Sequence, residues 1–209
     1  MGKSENWLAQ VHEEILEPER PIVDPHHHLW TYDPPGAYLV DDLWADTGSG
    51  HTVEQTVFIQ CGAEPRKGGP KEMRFVGETE FVVKQAAESE QGPADAARIR
   101  GIVALADLTL GARVDPVLEA HLEAGNGLVK GIRNGAAWDE TDTVKTPFPS
   151  GPPHLYMDAK LREGFSRLNR YGLSYDAWNY HPQLPELIDL AHAFPDTTII
   201  LDHFGGVLG

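Results

Sequence analysis

The chain has 209 residues, of which 41% are hydrophobic and 23% are charged, and these values exclude a disordered or collagen-like chain. A domain size of about 150 residues favours one domain, with residues 1–20 as an N-terminal extension. The formal net charge of −15 repels phosphate backbones and anionic lipids, so we expect a small-molecule partner rather than nucleic acid or a membrane.

The cysteine content and the apolar runs predict the compartment. A single cysteine, Cys61, excludes an internal disulfide. The N-terminus has none of the apolar stretch that a signal peptide needs, and no run of about 20 apolar residues could span a bilayer. The sequence therefore predicts a cytoplasmic protein.

Six short apolar runs bounded by Gly, Pro or Asp predict six β-strands. Their mostly continuous hydrophobicity is typical of parallel strands that are buried on both faces. In chain order the candidate strands are Pro21–Asp24, Thr56–Gln60, Gly101–Asp107, Leu128–Arg133, Leu173–Asp176 and Thr198–His203.

Apolar residues at helical spacing predict helices between these strands. The first of four such patterns follows Pro70, and the second begins with Asp115 as N-cap and Pro116 as first residue and ends at Gly125. The inward faces comprise Phe75, Thr79, Val82, Val83 and Ala86; Val117, Leu118 and Leu122; Leu161, Phe165 and Leu168; and Leu184, Leu187, Ile188 and Ala191. Regular alternation of strands and helices indicates an α/β fold.

The number of strands points to an incomplete barrel. A (β/α)8 TIM barrel typically needs about 250 residues and eight strands. This sequence has six candidate strands and ends in the segment LDHFGGVLG, which has the composition of a loop. We therefore predict a (β/α)8 TIM-barrel type that is truncated after the sixth strand. Because such a fragment exposes strand edges, we expect the isolated chain to be unstable, to aggregate or to form a homo-oligomer.

Two connections, Leu29–Thr52 and Asn134–Met157, are too long to be simple turns. Both follow a strand, so in a barrel they would lie at the carboxyl ends of the strands, where active sites are built. Their aromatic residues, which include Trp30 and Phe148, argue against disorder. The alternatives are substrate-binding loops, with Trp30 as a binding residue, or ordered lids that are packed for stability alone.

The segment PIVDPHHHLW carries the strongest local signal for a functional site. Side chains two apart in a strand share a face, so His26 and His28 would point the same way, with Asp24 one pleat earlier and His27 opposite. Two imidazoles at a strand end can bind a metal ion or transfer protons. A chance surface cluster is the alternative, but the apolar strand PIV and the following Leu-Trp favour a strand exit.

Two further candidates stand at strand ends. His203 follows the apolar run TTIILD and is either a core histidine or the third member of the site formed by His26 and His28; Asp202 beside it would alternate to the opposite face as a structural residue. Arg133 ends VKGIR and either binds a substrate carboxylate or carbonyl or forms an ion pair at the barrel rim.

The segment SYDAWNYHPQL follows the fifth candidate strand. It places Asp176, Trp178 and His181 on the same functional face in a barrel, although His181 could instead cap the next helix. Glu78 and His121 lie in segments that are predicted to be helical, and both side chains are predicted to be solvent-exposed. Cys61 has no base nearby in the predicted arrangement, so a thiol nucleophile is not expected.

DPHHHLW resembles the DxHxHxW signature of the amidohydrolase superfamily, specifically the amidohydrolase-2 group. That group includes L-fuconolactonases, other sugar lactonases and 2-pyrone-4,6-dicarboxylate lactonase. The segments GIR, GLSYDAW, HPQL and LDHFGG follow in the order that the group shows, so the resemblance covers about residues 21–209.

This resemblance implies a distorted (β/α)8 barrel that hydrolyses a small cyclic ester, a sugar lactone or a carboxylated lactone, at its carboxyl-terminal face. His26 and His28 match the first-strand pair and His203 matches the sixth-strand histidine. Members differ in their use of a divalent metal, so zinc or manganese bound by His26 and His28 is permitted but not required. The group's water-activating aspartate follows the eighth strand and has no matching position, so the general base is expected beyond residue 209.

Two other readings stay open at this point. A metal-dependent decarboxylase or hydratase of the same superfamily would share the histidines but perform carbon–carbon chemistry. A catalytically inactive fragment, or a binding module, would keep the pocket without the base.

Overall fold

The computed structural model describes residues 10–11, 13–34, 36–141, 144 and 151–208. The predicted N-terminal extension 1–20 lies partly outside this range, as does Phe148. Strands and helices alternate as β1 (Ile22–His27), α1 (Val40–Thr47), β2 (Val53–Ile59), α2 (Val76–Ser89), β3 (Arg98–Leu105), α3 (Asp115–Gly125), β4 (Val129–Arg133), α4 (Ala159–Leu168), β5 (Ser174–Ala177), α5 (Leu184–Ala193), β6 (Ile199–Leu201) and the single turn α6 (His203–Gly206). Shorter 3-10 helices are Lys71–Met73, Leu108–Val114, Leu155–Met157, Asn169–Tyr171 and His181–Gln183.

The six strands form one sheet in chain order, and every neighbouring pair is parallel. The sheet curls into a half-barrel, which confirms the predicted α/β, TIM-barrel type. Parallel strands in chain order bring all carboxyl ends to one edge. This edge therefore collects the side chains that follow each strand.

All six predicted strands are present, with shifted ends. The first continues to His27 through a register irregularity between Asp24 and His27, which the proline between them had hidden. The last stops at Leu201, two residues before its predicted end. Most residues of β3 to β5 are buried, with Arg100 and Lys130 exposed, whereas β1, β2 and β6 are more exposed. Of these three, β1 and β6 form the edges of the sheet.

The helices cover the convex side of the sheet with the predicted apolar faces, with local corrections. The α3 N-cap is Val114, so the predicted cap Asp115 is instead the first helical residue. Ile188, predicted to face inward, is 56% exposed. The largest fully buried side chains of the core include Tyr156, Tyr175, Phe58 and Phe165.

Two polar side chains predicted to be solvent-exposed are buried. Glu78 is 2% exposed and His121 is fully buried. The Nδ1 atom of His121 lies 2.8 Å from Oγ1 of Thr79, and its Nε2 atom lies 3.0 Å from the carbonyl oxygen of Leu105. The prediction was wrong because polar neighbours in the sequence are not the neighbours in the fold, where hydrogen bonds satisfy both ring nitrogens of His121 and one carboxylate oxygen of Glu78.

The described part of the long connection after β1 contains α1. The backbones of Trp30 and Tyr38 exchange two hydrogen bonds, and the Trp30 ring stacks on the rings of Tyr38 and Tyr32. No helix in the described part of the chain is long and apolar enough to cross a membrane.

Candidate active site

The carboxyl end of β2 fixes the orientation of the ring of His28, the residue that follows β1. Its Nδ1 atom lies 2.7 Å from the carbonyl oxygen of Ile59 at the end of β2. Because a carbonyl oxygen can only accept, Nδ1 is the donor, and Nε2 of the neutral ring carries the lone pair. Burial lowers the pKa of His28, and the nearby Arg133 and His203 lower it further. His28 can therefore offer an unprotonated nitrogen to the site.

His26 lies at the centre of a cluster of three histidines. Its ring centroid is 5.0 Å from that of His28 and 4.7 Å from that of His203. Burial, followed by the charges of His28 and Arg133, lowers the pKa of His26 to about 3. The buried Nε2 atom has no hydrogen-bond partner among the described residues. The structure thus brings together the three histidines that the sequence singled out.

His203 closes this cluster from the β6 side. Its φ of 50° is in the left-handed region, which is uncommon for a residue other than glycine and is often found at functional sites. Its ring meets that of Trp178 edge-on, with 5.1 Å between centroids.

Arg133 and Asp202 form a buried ion pair beside the histidines. Nη1 of Arg133 donates to Oδ2 of Asp202 at 3.3 Å, and Nη2 donates to the carbonyl oxygen of Gln60 at 2.5 Å. The other oxygen of Asp202 lies 4.0 Å from Nδ1 of His26. The sequence analysis placed Asp202 on the opposite face, but β6 ends one residue earlier, so strand alternation does not apply to it.

Asp176 is the second buried carboxyl of the site. It pairs with Arg133 in the β4–β5 register, and its side chain is 3% exposed. Burial, then the charge of Asp202, raises the pKa of Asp176 to about 7, against the opposing effect of Arg133. Its Oδ1 atom has no hydrogen-bond partner in the part of the chain that the structure describes.

Asp24 does not share a face with His26 and His28 as predicted. One carboxylate oxygen accepts a hydrogen bond from the backbone N–H of His26 at 3.0 Å. With His27, Asp24 lines a separate cavity beside α1. The irregular register between Asp24 and His27 interrupts the alternation on which the prediction was based.

Two cavities adjoin the histidine cluster and share His203. The larger, of about 610 Å³, lies at the carboxyl ends of β2 to β6 and is lined by residues that include His28, Cys61, Asp107, Arg133, Trp178 and His203. The smaller, of about 470 Å³, lies on the concave side of the sheet and includes His26, Asp176 and Asp202. The larger cavity has the size of a small-molecule site.

Two of the predicted binding residues lie elsewhere. Trp30 donates from Nε1 to the carbonyl oxygen of Gly36 at 2.7 Å, and His181 accepts at Nδ1 from the backbone N–H of Leu208 at 3.2 Å. Neither is among the described residues that line the two cavities.

The histidine pair provides only part of a metal site. His26 and His28 each have a nitrogen suited to a metal ion, but the described residues contain no group of three or more His, Cys, Asp or Glu side chains that could hold one. A zinc site normally has at least three protein ligands. These residues alone therefore do not make a metal site.

A sequence model of the amidohydrolase family matches residues 23–208. The chain belongs to the amidohydrolase family. An alignment of 206 positions relates it to the uncharacterized protein y4mH of Sinorhizobium fredii at 32% identity, covering 88% of this amidohydrolase and 62% of the relative.

Solved structures show the same fold. An amidohydrolase from Burkholderia multivorans, crystallised with bound zinc, aligns with a TM-score of 0.60 at 21% identity, over 88% of this chain and 57% of that one. A putative 2-pyrone-4,6-dicarboxylic acid hydrolase from Pseudomonas putida aligns with a TM-score of 0.54 at 16% identity, over the same shares of the two chains. The amidohydrolase described here thus spans less than two thirds of the length of these proteins.

Proposed function

We propose that this amidohydrolase is a hydrolase that acts on a small cyclic ester, either a sugar lactone or a carboxylated lactone. The observation that carries the proposal is the meeting of His26, His28 and His203 with Arg133 beside a cavity of about 610 Å³. Family membership and the fold shared with a putative lactone hydrolase support it.

Lactone hydrolysis needs a nucleophilic water molecule and a group that stabilises the negative charge developing on the carbonyl oxygen. Nε2 of His28 can accept a hydrogen bond from water, since its Nδ1 proton is held by Ile59. Arg133 supplies positive charge at the cavity wall. Asp176 can accept a proton only in its ionised form, which predominates above a pH of about 7.

The divalent metal ion permitted by the sequence resemblance stays a proposal. His26 and His28 would be two of its ligands, and the zinc-bound relative supports it. The metal content of the purified protein, measured by mass spectrometry without added metal and after incubation with zinc or manganese, tests this separately from activity. A metal-to-protein ratio near zero in every sample would exclude it.

The activity test compares two histidines. Sugar lactones and 2-pyrone-4,6-dicarboxylate are offered to the wild type, to His28→Ala and to His192→Ala, in which the substituted histidine is exposed on α5. We expect lactone hydrolysis to fall at least about 100-fold in His28→Ala, the order expected for loss of a proton-transfer group, and to be unchanged in His192→Ala. Release of carbon dioxide without ester hydrolysis, or binding without turnover by the wild type, would contradict the proposal.

A further inference from the structure

The five residues 59–63 begin with the last residue of β2, and we call them the β2 exit segment. Their backbone holds two side chains of the candidate site. The carbonyl oxygen of Ile59 accepts the hydrogen bond from Nδ1 of His28. The next carbonyl oxygen, that of Gln60, accepts from Nη2 of Arg133. The position of this segment therefore sets the orientation of both the His28 ring and the Arg133 guanidinium.

Glu78, in the first turn of α2, fastens this segment. Its Oε1 atom accepts hydrogen bonds from the backbone N–H groups of Cys61, at 2.9 Å, and Ala63, at 2.8 Å. The Cys61 thiol in turn donates to the carbonyl oxygen of Leu29, at 3.4 Å, which ties the segment to the end of β1. One carboxyl group thus holds two of the five residues directly.

Close packing at Gly77 holds α2 against the loop that contains Glu64 and Arg66. A Cβ atom at Gly77 would lie 2.6 Å from both the backbone nitrogen of Arg66 and the carbonyl oxygen of Glu64. Only a glycine permits this approach of α2 to the loop, and the approach brings Glu78 within reach of the exit segment.

A buried carboxyl group at this position needs an explanation, because an apolar side chain would avoid its desolvation cost. Glu78 is 2% exposed, and its Oε2 atom has no hydrogen-bond partner among the residues described. What the carboxyl group provides is an acceptor for two amides that no strand or helix satisfies. The cost is consistent with a requirement for a fixed loop.

We propose that Glu78 is a positioning residue of the active site, which acts through the β2 exit segment on His28 and Arg133. The effect on turnover rests on the proposed hydrolase function, whereas the effect on the segment does not. Cys61 is the only cysteine in the chain and lines the larger cavity. Its reaction with a thiol reagent therefore reports on the segment directly.

The decisive comparison is between Glu78→Gln and Glu78→Met. Both replacements are uncharged and close in size to glutamate, but only glutamine keeps an oxygen that accepts from Cys61 and Ala63. We expect Cys61 to react with a small disulfide reagent at least about tenfold faster in Glu78→Met than in Glu78→Gln. For lactone hydrolysis we expect kcat to fall at least about tenfold in Glu78→Met, with KM changing less, and to stay within about threefold of wild type in Glu78→Gln.

Glu80→Met is the matched control, because Glu80 lies on the same helix and contacts the same loop through Arg66, but its side chain is 43% exposed. It should leave both thiol reactivity and kcat unchanged. If Glu78→Met does not fold by circular dichroism, Glu78→Leu, which is also uncharged and has no acceptor oxygen, replaces it with the same expected direction.

Equal thiol reactivity in the Met and Gln variants would overturn the proposal. An equal fall of kcat in these two variants would also contradict it, because the acceptor would then not matter. If the wild type hydrolyses no lactone, the proposed function fails, but the comparison of thiol rates still decides whether Glu78 holds the segment.

Discussion

The replacement Asp176→Asn tests the buried charge balance of the site through the pH dependence of stability. The pKa of Asp176 is raised from 3.8 to about 7, so the folded protein binds this proton more tightly than the unfolded chain does. The protonated carboxyl therefore stabilises the fold fully below pH 3.8, and this contribution is lost as the pH rises through about 7. Asparagine cannot titrate, so the variant lacks this pH dependence.

The expected size follows from the shift. A shift of one pKa unit corresponds to about 1.4 kcal/mol, and most of the loss falls between pH 5 and pH 7. The free energy of unfolding of the wild type, relative to that of Asp176→Asn, should therefore fall by about 2 to 3 kcal/mol between pH 5 and pH 8. Other titrating groups are common to both proteins and cancel in this difference.

Urea unfolding of both proteins at pH 5, 6, 7 and 8, followed by tryptophan fluorescence, measures this difference. Asp196→Asn, which makes the same chemical change at an exposed position before β6, controls for the altered net charge. A difference between wild type and Asp176→Asn that stays constant over this pH range would refute the reasoning. Asp176 would then be ionised in the folded protein throughout.

Three further replacements test other parts of the structure. Asp202→Ala leaves the buried guanidinium of Arg133 without its carboxylate and should lower the free energy of unfolding by about 3 to 5 kcal/mol, measured by urea titration at pH 7. The pKa of buried His121 is lowered to about 4, so its stabilising contribution is present above pH 6.5 and is lost as the pH falls through about 4. The free energy of unfolding should therefore fall less between pH 7 and pH 4 in His121→Gln than in the wild type. A Cβ atom at Gly164 would overlap the carbonyl oxygen of Leu108, so Gly164→Ala should lower the thermal midpoint although alanine favours helices.

Sequence patterns were sufficient for the six strands of this fold, whereas α1 lies within Leu29–Thr52, which was predicted only as a long connection. Each of the six strands is present because apolar, β-branched runs between Gly, Pro and Asp have few alternatives in a globular chain. The ends were less certain, since they depend on contacts between elements. Pro25 did not end β1, because an edge strand tolerates a proline. The strand β6, which is the last of the described sheet, is shorter than its apolar run.

The site was partly predictable for a related reason. His26, His28 and His203 could be assembled because each stands at the carboxyl end of a strand, and parallel strands bring those ends together. Glu78 could not be assigned, because its partners are backbone amides of a loop after a different element. The sequence nevertheless contained an indication that Glu78 is buried. It lies four residues before Val82, on the same face of α2, and its neighbours Gly77 and Thr79 are uncharged.

The aspartates near the strand ends differ in whether their carboxylate oxygens already accept hydrogen bonds. This difference helps to identify a candidate general base that could activate water. Asp24 accepts from the backbone N–H of His26, and Asp202 accepts from Arg133. Asp176 keeps a buried oxygen with no hydrogen-bond partner in the described ranges of the chain, and burial, followed by the charge of Asp202, raises its pKa to about 7. If Asp176 activates water, hydrolysis by this chain should increase as the pH rises through about 7.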